Sequence, residues 1–348
     1  MSPSRMRQVV LLGPRQLTVR EVEVPEPEPG EVLIRVELCA LCTWEQRTYT
    51  GEETFVPLLG GHEVTGRVEA INGSTYLDLH PGDRVAISLL NRCGQCQACR
   101  RGYDNICEHG FDLPLRYGIP GPAGLSEYLI AKVTDLFPMP PSVPPEHVAL
   151  TEPLACVLRS VKRARIHPGE KVVIVGMGVM GVLHLQLALA RGGVVIVSEP
   201  NPDRRAAALA MGATAAIDPS REAYRERVLA LTDGWGADVT FICVPHAAVV
   251  GPAVEAAAKN GRVLMYSSIH PRGTKVELDP NIFHNKEVVL TGTMSQSQRD
   301  FFEAAQLIAH GLVDLDPLIS ARYPLEEVQA AFEAALREDT YRVFVTMA

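Results

Sequence analysis

The run Lys171-Val-Val-Ile-Val-Gly-Met-Gly-Val-Met-Gly181 constrains this chain more than any other stretch. Its apolar residues Val172 to Val175 predict a buried parallel strand. Gly176, Gly178 and Gly181 follow with G-x-G-x-x-G spacing, and Val182 to Ala190 continue as an apolar helix. Each glycine meets a separate demand: a tight turn, close approach of the backbone to a pyrophosphate, and close packing of helix on strand. The helix start, with Val179 and Met180 beside the glycines, offers free N–H groups and the positive end of a dipole to that anion. Glycine spacing by itself is weak evidence, because an ordinary βαβ unit also turns on glycine. Here a second strand, Val194 to Ser198, ends in Glu199 about 20 residues further on, where a ribose-binding acid belongs.

The alternation then continues. The periodicity predicts helix Pro202 to Met211, strand Ala213 to Ile217, helix Arg221 to Leu231, strand Val239 to Val244, helix Ala247 to Lys259 and strand Arg262 to Ser267. Glu199 is expected to accept hydrogen bonds from the adenosine ribose and to repel a 2′-phosphate, which favours NAD over NADP. Arg204 and Arg205 oppose that preference if either turns toward the nucleotide.

The first 150 residues have a different texture. Residues 8–36 alternate like antiparallel strands, with Gln16 to Val24 and Glu31 to Val36 on either side of a turn rich in proline. Short β runs broken by glycine and proline persist to the crossing into the Rossmann half. Such a pattern suits a compact β-rich domain and not a βαβ array. Beyond residue 290, helices Arg299 to His310 and Leu325 to Leu336 and strand Arg342 to Thr346 are expected to return to it.

The cysteines cluster. Cys93, Cys96, Cys99 and Cys107 give C-x2-C-x2-C-x7-C, which matches a closed, tetrahedral, structural zinc site. Disulfides suit a reducing compartment poorly, and a ferredoxin-type cluster would need a shorter last gap followed by proline, where Glu108 stands. Earlier, Cys39-Ala-Leu-Cys42 lacks a thioredoxin-like setting, and Gly60-Gly61-His62-Glu63 follows 20 residues after Cys42. One thiolate and one imidazole with a neighbouring carboxylate can serve as zinc ligands, though a lone Cys and a lone His are more often structural.

With 33 basic against 41 acidic residues and a formal charge of −8, the chain does not present a nucleic-acid surface. No apolar run reaches membrane-spanning length and the N-terminus lacks a signal-peptide core, so a cytoplasmic enzyme of small molecules is expected.

Taken in order, Cys42, Gly61-His62-Glu63, Pro81 to Val85, the Cys93 to Cys107 lobe, Glu152-Pro153-Leu154 and Gly176 to Gly181 resemble the zinc-dependent medium-chain dehydrogenases. Within that superfamily the chain resembles the sorbitol and threonine dehydrogenase branch. The resemblance implies an α/β protein: a catalytic domain folded around a GroES-like β-barrel (1–152 and 291–348, with a zinc lobe at about 91–108), interrupted by a doubly wound Rossmann domain (153–290). It implies a catalytic zinc in the cleft between the domains, held by Cys42, His62 and Glu63, with Glu152 as a ligand or as partner of the zinc-bound water. Ser267, Ser268, Thr293 and Met294 match positions whose backbone lines the nicotinamide riboside, and Arg204 matches an arginine along the adenine edge. A homodimer or homotetramer follows from the same resemblance.

Several positions depart from the pattern. The second residue after the zinc cysteine is commonly Ser or Thr, whose hydroxyl starts a proton relay; here it is Trp44, with Thr43 one place earlier. Arg47 stands where some alcohol dehydrogenases have a relay histidine, Glu45 where Asp is usual, and Ser295-Gln296 where sorbitol dehydrogenases have Arg-Tyr. The expected function is zinc-dependent, NAD-linked oxidation of a polar secondary alcohol such as a polyol, sugar or cyclitol. The alternatives are amino-alcohol oxidation of the threonine 3-dehydrogenase kind, and an epimerase or lyase that oxidises its substrate transiently.

Overall fold

The computed structural model describes residues 3–347. They form two compact units, one running from the N-terminal end to Ala155 and again from Gln296 onward, the other Cys156–Ser295.

In the second unit a six-stranded sheet has the order Ala215–Ile217, Val194–Ser198, Lys171–Val175, Ala237–Ile242, Ala257–Met265, Val289–Gly292, every neighbouring pair parallel. Val172, Val173 and Ile174 are fully buried, as a strand covered on both faces requires, which is why its sequence is an apolar run and not an alternation. Strand order reverses between Lys171–Val175 and Ala237–Ile242. In an open parallel sheet the crevice at the carboxyl ends of those two strands is where a nucleotide binds.

One expected helix is corrected. Ala247 to Lys259 splits into a 3₁₀ turn at Ala247–Val249 and a helix at Val250–Glu255, and the remaining alanines enter the strand Ala257–Met265. Alanine favours helix locally. Here the backbone of Ala256–Ala258 packs so closely on Gly236 that a Cβ there would lie 2.7 Å from the Ala256 oxygen, and this contact overrides propensity.

The first unit is built on a sheet ordered Ile319–Pro324, Arg342–Thr346, Glu31–Ala40, Glu63–Ile71, Arg84–Ile87, Leu136–Pro138, with Tyr128–Lys132 also paired to Glu31–Ala40. All its pairs are antiparallel except the first. The two strands that flank the proline-rich turn do not pair with each other: Gln16–Glu23 folds back on Arg5–Gly13. Val32, Ile34, Val36, Leu129, Phe332 and Val345 lie in one continuous core. Ala40 is opposite both Glu63 and Phe344, so the ends of three adjacent strands meet beside Cys42.

Candidate active site

Cys42 caps the N-terminus of the helix Thr43–Thr50, two residues past the strand Glu31–Ala40. The Leu41 nitrogen donates to the Val343 oxygen at 2.9 Å, which ties this exit to the strand Arg342–Thr346. Glu63 opens the neighbouring strand and His62 immediately precedes it, both reached through Gly61, whose φ of +95° favours glycine; a Cβ there would lie 2.4 Å from the Leu125 nitrogen. The Cys42 sulfur, a His62 ring nitrogen and a Glu63 carboxylate oxygen consequently lie within 4.8 Å of one another.

Two of the three side chains, His62 and Glu63, are oriented by a further group. Oε1 of Glu45 is 2.7 Å from Nδ1 of His62 and accepts the Gly61 N–H at 2.9 Å, so Nε2 is the ring nitrogen that could hold a metal. Burial works against a charge on His62, but the Glu45 carboxylate and the Cys42 sulfur outweigh it and raise its pKa well above the usual value. On the other side Nη2 of Arg342 donates to Oε1 of Glu63 at 2.6 Å, and Nη1 donates to the Leu41 oxygen at 3.2 Å. Oε2 of Glu63 is buried without a protein partner. Burial pushes the Glu63 carboxyl up to about 7 against the pull of Arg342, and burial also raises the Cys42 thiol. A divalent cation reverses both effects, because it stabilises thiolate and carboxylate directly. Sulfur, nitrogen and an orphaned carboxylate oxygen suit zinc, and three protein donors leave room for an exogenous oxygen.

The other expected residues fall at varied distances. Glu152, in the first turn of the helix Thr151–Ala164, stands outside the close group but near enough to raise the Glu63 carboxyl. Thr43 is exposed. Trp44 is half-buried, packed on the core, with its ring centroid 5.7 Å from that of His62 and its plane at 67°. Arg47 sits near Glu52, with Nε 3.8 Å from its carboxylate.

The four cysteines of the lobe form a second group of the same compactness. Backbone N–H groups of Gln95 and Cys96 point at the Cys93 sulfur and that of Cys99 at the Cys96 sulfur, each at 3.3 to 3.4 Å. These donors lower the Cys93 thiol to about 6 and also lower Cys96, while burial raises Cys99. An all-sulfur, four-ligand set is closed to substrate and fits structural zinc.

In the second unit the three glycines differ in what surrounds them. Gly176 has φ +95° and faces Val244; a Cβ on Gly181 would lie 1.9 Å from the Gly176 oxygen; a Cβ on Gly178 would meet nothing within 4 Å. The helix Val179–Ala190 starts there, with Val179 buried and Met180 sulfur 3.0 Å from the Tyr266 hydroxyl. Glu199 accepts the Met177 N–H at 2.7 Å and the Asn201 N–H at 2.9 Å, which holds its buried carboxylate against the glycine loop. Arg205 is committed elsewhere, to the Glu199 and Pro200 oxygens and to Asp218 at 3.0 Å. Arg204 lies in the helix Pro202–Ala210. Ser267 donates its N–H to the Ile242 oxygen and Thr293 to Met265, so both stand at the carboxyl end of the sheet; Ser268 contacts His270, and Met294 is exposed.

Sequence reasoning did not find the roles of Glu45 and Arg342. Glu45 lies one helical turn from Cys42, a spacing visible in the sequence. Arg342 showed only as a charge opening an apolar strand, and nothing local named its partner. His147 has Nε2 2.8 Å from Asp316.

Residues 28–141 match the alcohol dehydrogenase GroES-like domain and residues 176–310 the zinc-binding dehydrogenase domain. L-threonine 3-dehydrogenase of Pyrococcus horikoshii is 32% identical over 90% of each chain. L-galactonate-5-dehydrogenase of Escherichia coli K12 is 29% identical over 95% of each. Among solved structures, a protein of Sinorhizobium meliloti 1021 described as a zinc-binding dehydrogenase, with NADP bound, superimposes with a TM-score of 0.90 at 32% identity, covering 99% of this chain and 100% of that one. The two sheets, the two ligand clusters and these matches place the chain in the zinc-dependent medium-chain dehydrogenase superfamily, whose members are alcohol dehydrogenases that use zinc and a nicotinamide nucleotide.

Proposed function

We propose that the protein oxidises a polar secondary alcohol (a polyol, sugar or cyclitol) to a ketone with NAD as acceptor. The observation that carries this reading is the convergence of Cys42, His62 and Glu63 donor atoms within 4.8 Å. Zinc would supply Lewis acidity at the substrate oxygen and the nicotinamide a hydride acceptor. The chain does the rest. Cys42, His62 and Glu63 would hold the metal, Glu45 fixes the imidazole, and Arg342 holds one oxygen of Glu63 while the other stays available. With Trp44 in place of a hydroxyl residue, the carboxylates of Glu63 and Glu152 are the groups near the cluster that can take up the alcohol proton.

NAD is favoured by Glu199, whose buried carboxylate beside the glycine loop repels a 2′-phosphate, and by Arg205, which Asp218 engages. The Sinorhizobium relative binds NADP, so both nucleotides belong in the test. Among the described residues no helix is long and apolar enough to cross a membrane.

The test is absorbance of reduced cofactor formed by zinc-loaded protein with NAD or NADP and a panel of polyols, sugars, cyclitols, threonine and simple alcohols. NAD-linked turnover of a polyhydroxylated compound supports the proposal. Turnover of threonine alone would assign the site to amino alcohols, with a carboxylate such as Glu152 pairing the ammonium. Silence across the panel, with NAD already bound, would move the reaction to an internal redox cycle.

A further inference from the structure

The residue that departs most from a hydroxyl-bearing relay is also the one that stands beside the metal donors. Trp44 is the second residue after Cys42, and its ring lies edge-on to His62 at 5.7 Å between centroids. A second aromatic continues the surface: Phe55 is 6.2 Å from Trp44 at an interplanar angle of 49°, and 43% of it is exposed. The indole is anchored from below by the barrel core, against which it packs, and keeps part of its surface open. The unit thus sets an apolar, aromatic shelf next to a cluster of thiolate, imidazole and carboxylate donors.

We propose that Trp44 and Phe55 are specificity-determining residues that select ring-shaped polyols, cyclitols or closed sugar rings, by stacking on the C–H face of the ring; this rests on the alcohol dehydrogenase reading above. A substrate that brings one oxygen to the Cys42, His62 and Glu63 cluster must lay its carbon skeleton against the neighbouring surface. An aromatic face offered by that surface attracts positively polarised C–H bonds and repels hydroxyl oxygens. A saturated ring with several hydroxyls presents such a C–H face as a rigid plane. An open-chain polyol turns hydroxyls to every side and must also lose the freedom of its chain to expose one face. The same shelf excludes the small hydroxyl that would otherwise start a proton relay, so the substitution at Trp44 exchanges a proton route for a binding surface.

The chain contains two tryptophans, and the other, Trp235, is exposed in the second unit and hydrogen-bonded to Asp238 at 2.9 Å. Trp235→Phe therefore leaves Trp44 as the only indole emitter. Full-length, zinc-loaded W235F protein is titrated with myo-inositol and methyl β-glucoside as ring probes and with sorbitol and galactitol as open-chain probes, following Trp44 emission. In parallel, reduced-cofactor formation is compared for wild type, Trp44→Phe and Trp44→Ser. The expected result is a saturable emission change with a ring probe at concentrations about tenfold below any open-chain probe, a preference kept by W44F and reduced about tenfold in W44S. Equal response to both kinds of probe, no response to either ring probe, or an unchanged ring preference in W44S overturns the proposal. Turnover without ring preference would leave the dehydrogenase reading standing and remove this one. Saturable ring binding at Trp44 without turnover of any probe would do the reverse.

Discussion

Oε1 of Glu45 is shared between the His62 imidazole at 2.7 Å and the Gly61 backbone at 2.9 Å, so one carboxylate oxygen sets both the ring and the loop that carries it. Removing an outer-shell partner of a metal-bound histidine typically costs 10- to 100-fold in metal affinity. Glu45→Ala is accordingly expected to weaken zinc at the Cys42 site by about 10- to 100-fold, read by competition with a chromophoric chelator. Wild-type affinity in that variant would mean that the imidazole needs no such support.

Arg342 and Glu63 are both buried, and their contact at 2.6 Å is the guanidinium's tie to this end of the sheet. Arg342→Met leaves the carboxylate without its counter-charge, and breaking a buried pair from one side costs about 3–5 kcal/mol. Denaturant unfolding of metal-free protein should show a loss of that size. The double variant R342M/E63Q should recover much of it, because neither member of the pair is then left as an uncompensated charge. A loss in the double variant equal to that in the single one would assign the effect to packing.

The glycine loop offers a paired test. Gly181→Ala places a methyl 1.9 Å from the Gly176 oxygen and must displace the turn, lowering both melting temperature and nucleotide affinity. Gly178→Ala meets no protein atom within 4 Å, so the fold should be kept while NAD affinity falls, measured by calorimetry. Unaltered NAD binding in G178A would remove the loop from the pyrophosphate.

His184 is expected to add to the acid sensitivity of the second unit. It is fully buried, with Nδ1 2.7 Å from the Met180 oxygen and Nε2 3.0 Å from the Ser160 hydroxyl, and burial lowers its pKa from 6.5 to about 4. The unfolded chain therefore takes up the proton first. The contribution is whole above 6.5, falls as pH drops from 6.5 toward 4, and amounts to roughly 3 kcal/mol when complete. A His184→Gln variant, less stable near neutrality, should show a flatter pH profile across that window. An identical slope in both proteins would place the acid sensitivity elsewhere.

Two separate ligand clusters predict two zinc ions per chain. Cys96→Ser should lose one of them together with stability of the lobe, and Cys42→Ser the other together with turnover, by elemental analysis and thermal melts. Full zinc content in either variant would contradict the assignment of that cluster.

What could be read in advance was local. The strands Val194–Ser198 and Arg342–Thr346 have the residues their apolar runs indicated, because a strand buried on both faces leaves a continuous signal. The Rossmann architecture followed from the order of strand, glycine turn, helix, strand and acid. Where a local preference met a stronger distant contact, the reading failed: Ala257 and Ala258 favour helix in isolation but lie on Gly236. Helix Thr43–Thr50 was hidden too, since Thr43 and Trp44 open it without a strong apolar stripe and only the cap at Gly51, with φ +87°, marks its end.

The sequence by itself determined the two sheet types, the glycine turn and the grouping of the four lobe cysteines, because their spacing is written within a few dozen residues and each step is a short-range steric demand. Tertiary structure alone decided what surrounds Cys42, His62 and Glu63. Cys42 follows one strand, and Glu63 and Arg342 lie on two others, and the three meet only when antiparallel register aligns Ala40 with both Glu63 and Phe344. A buried charge chooses its partner by which strands lie side by side, and that choice has no sequence period to reveal it.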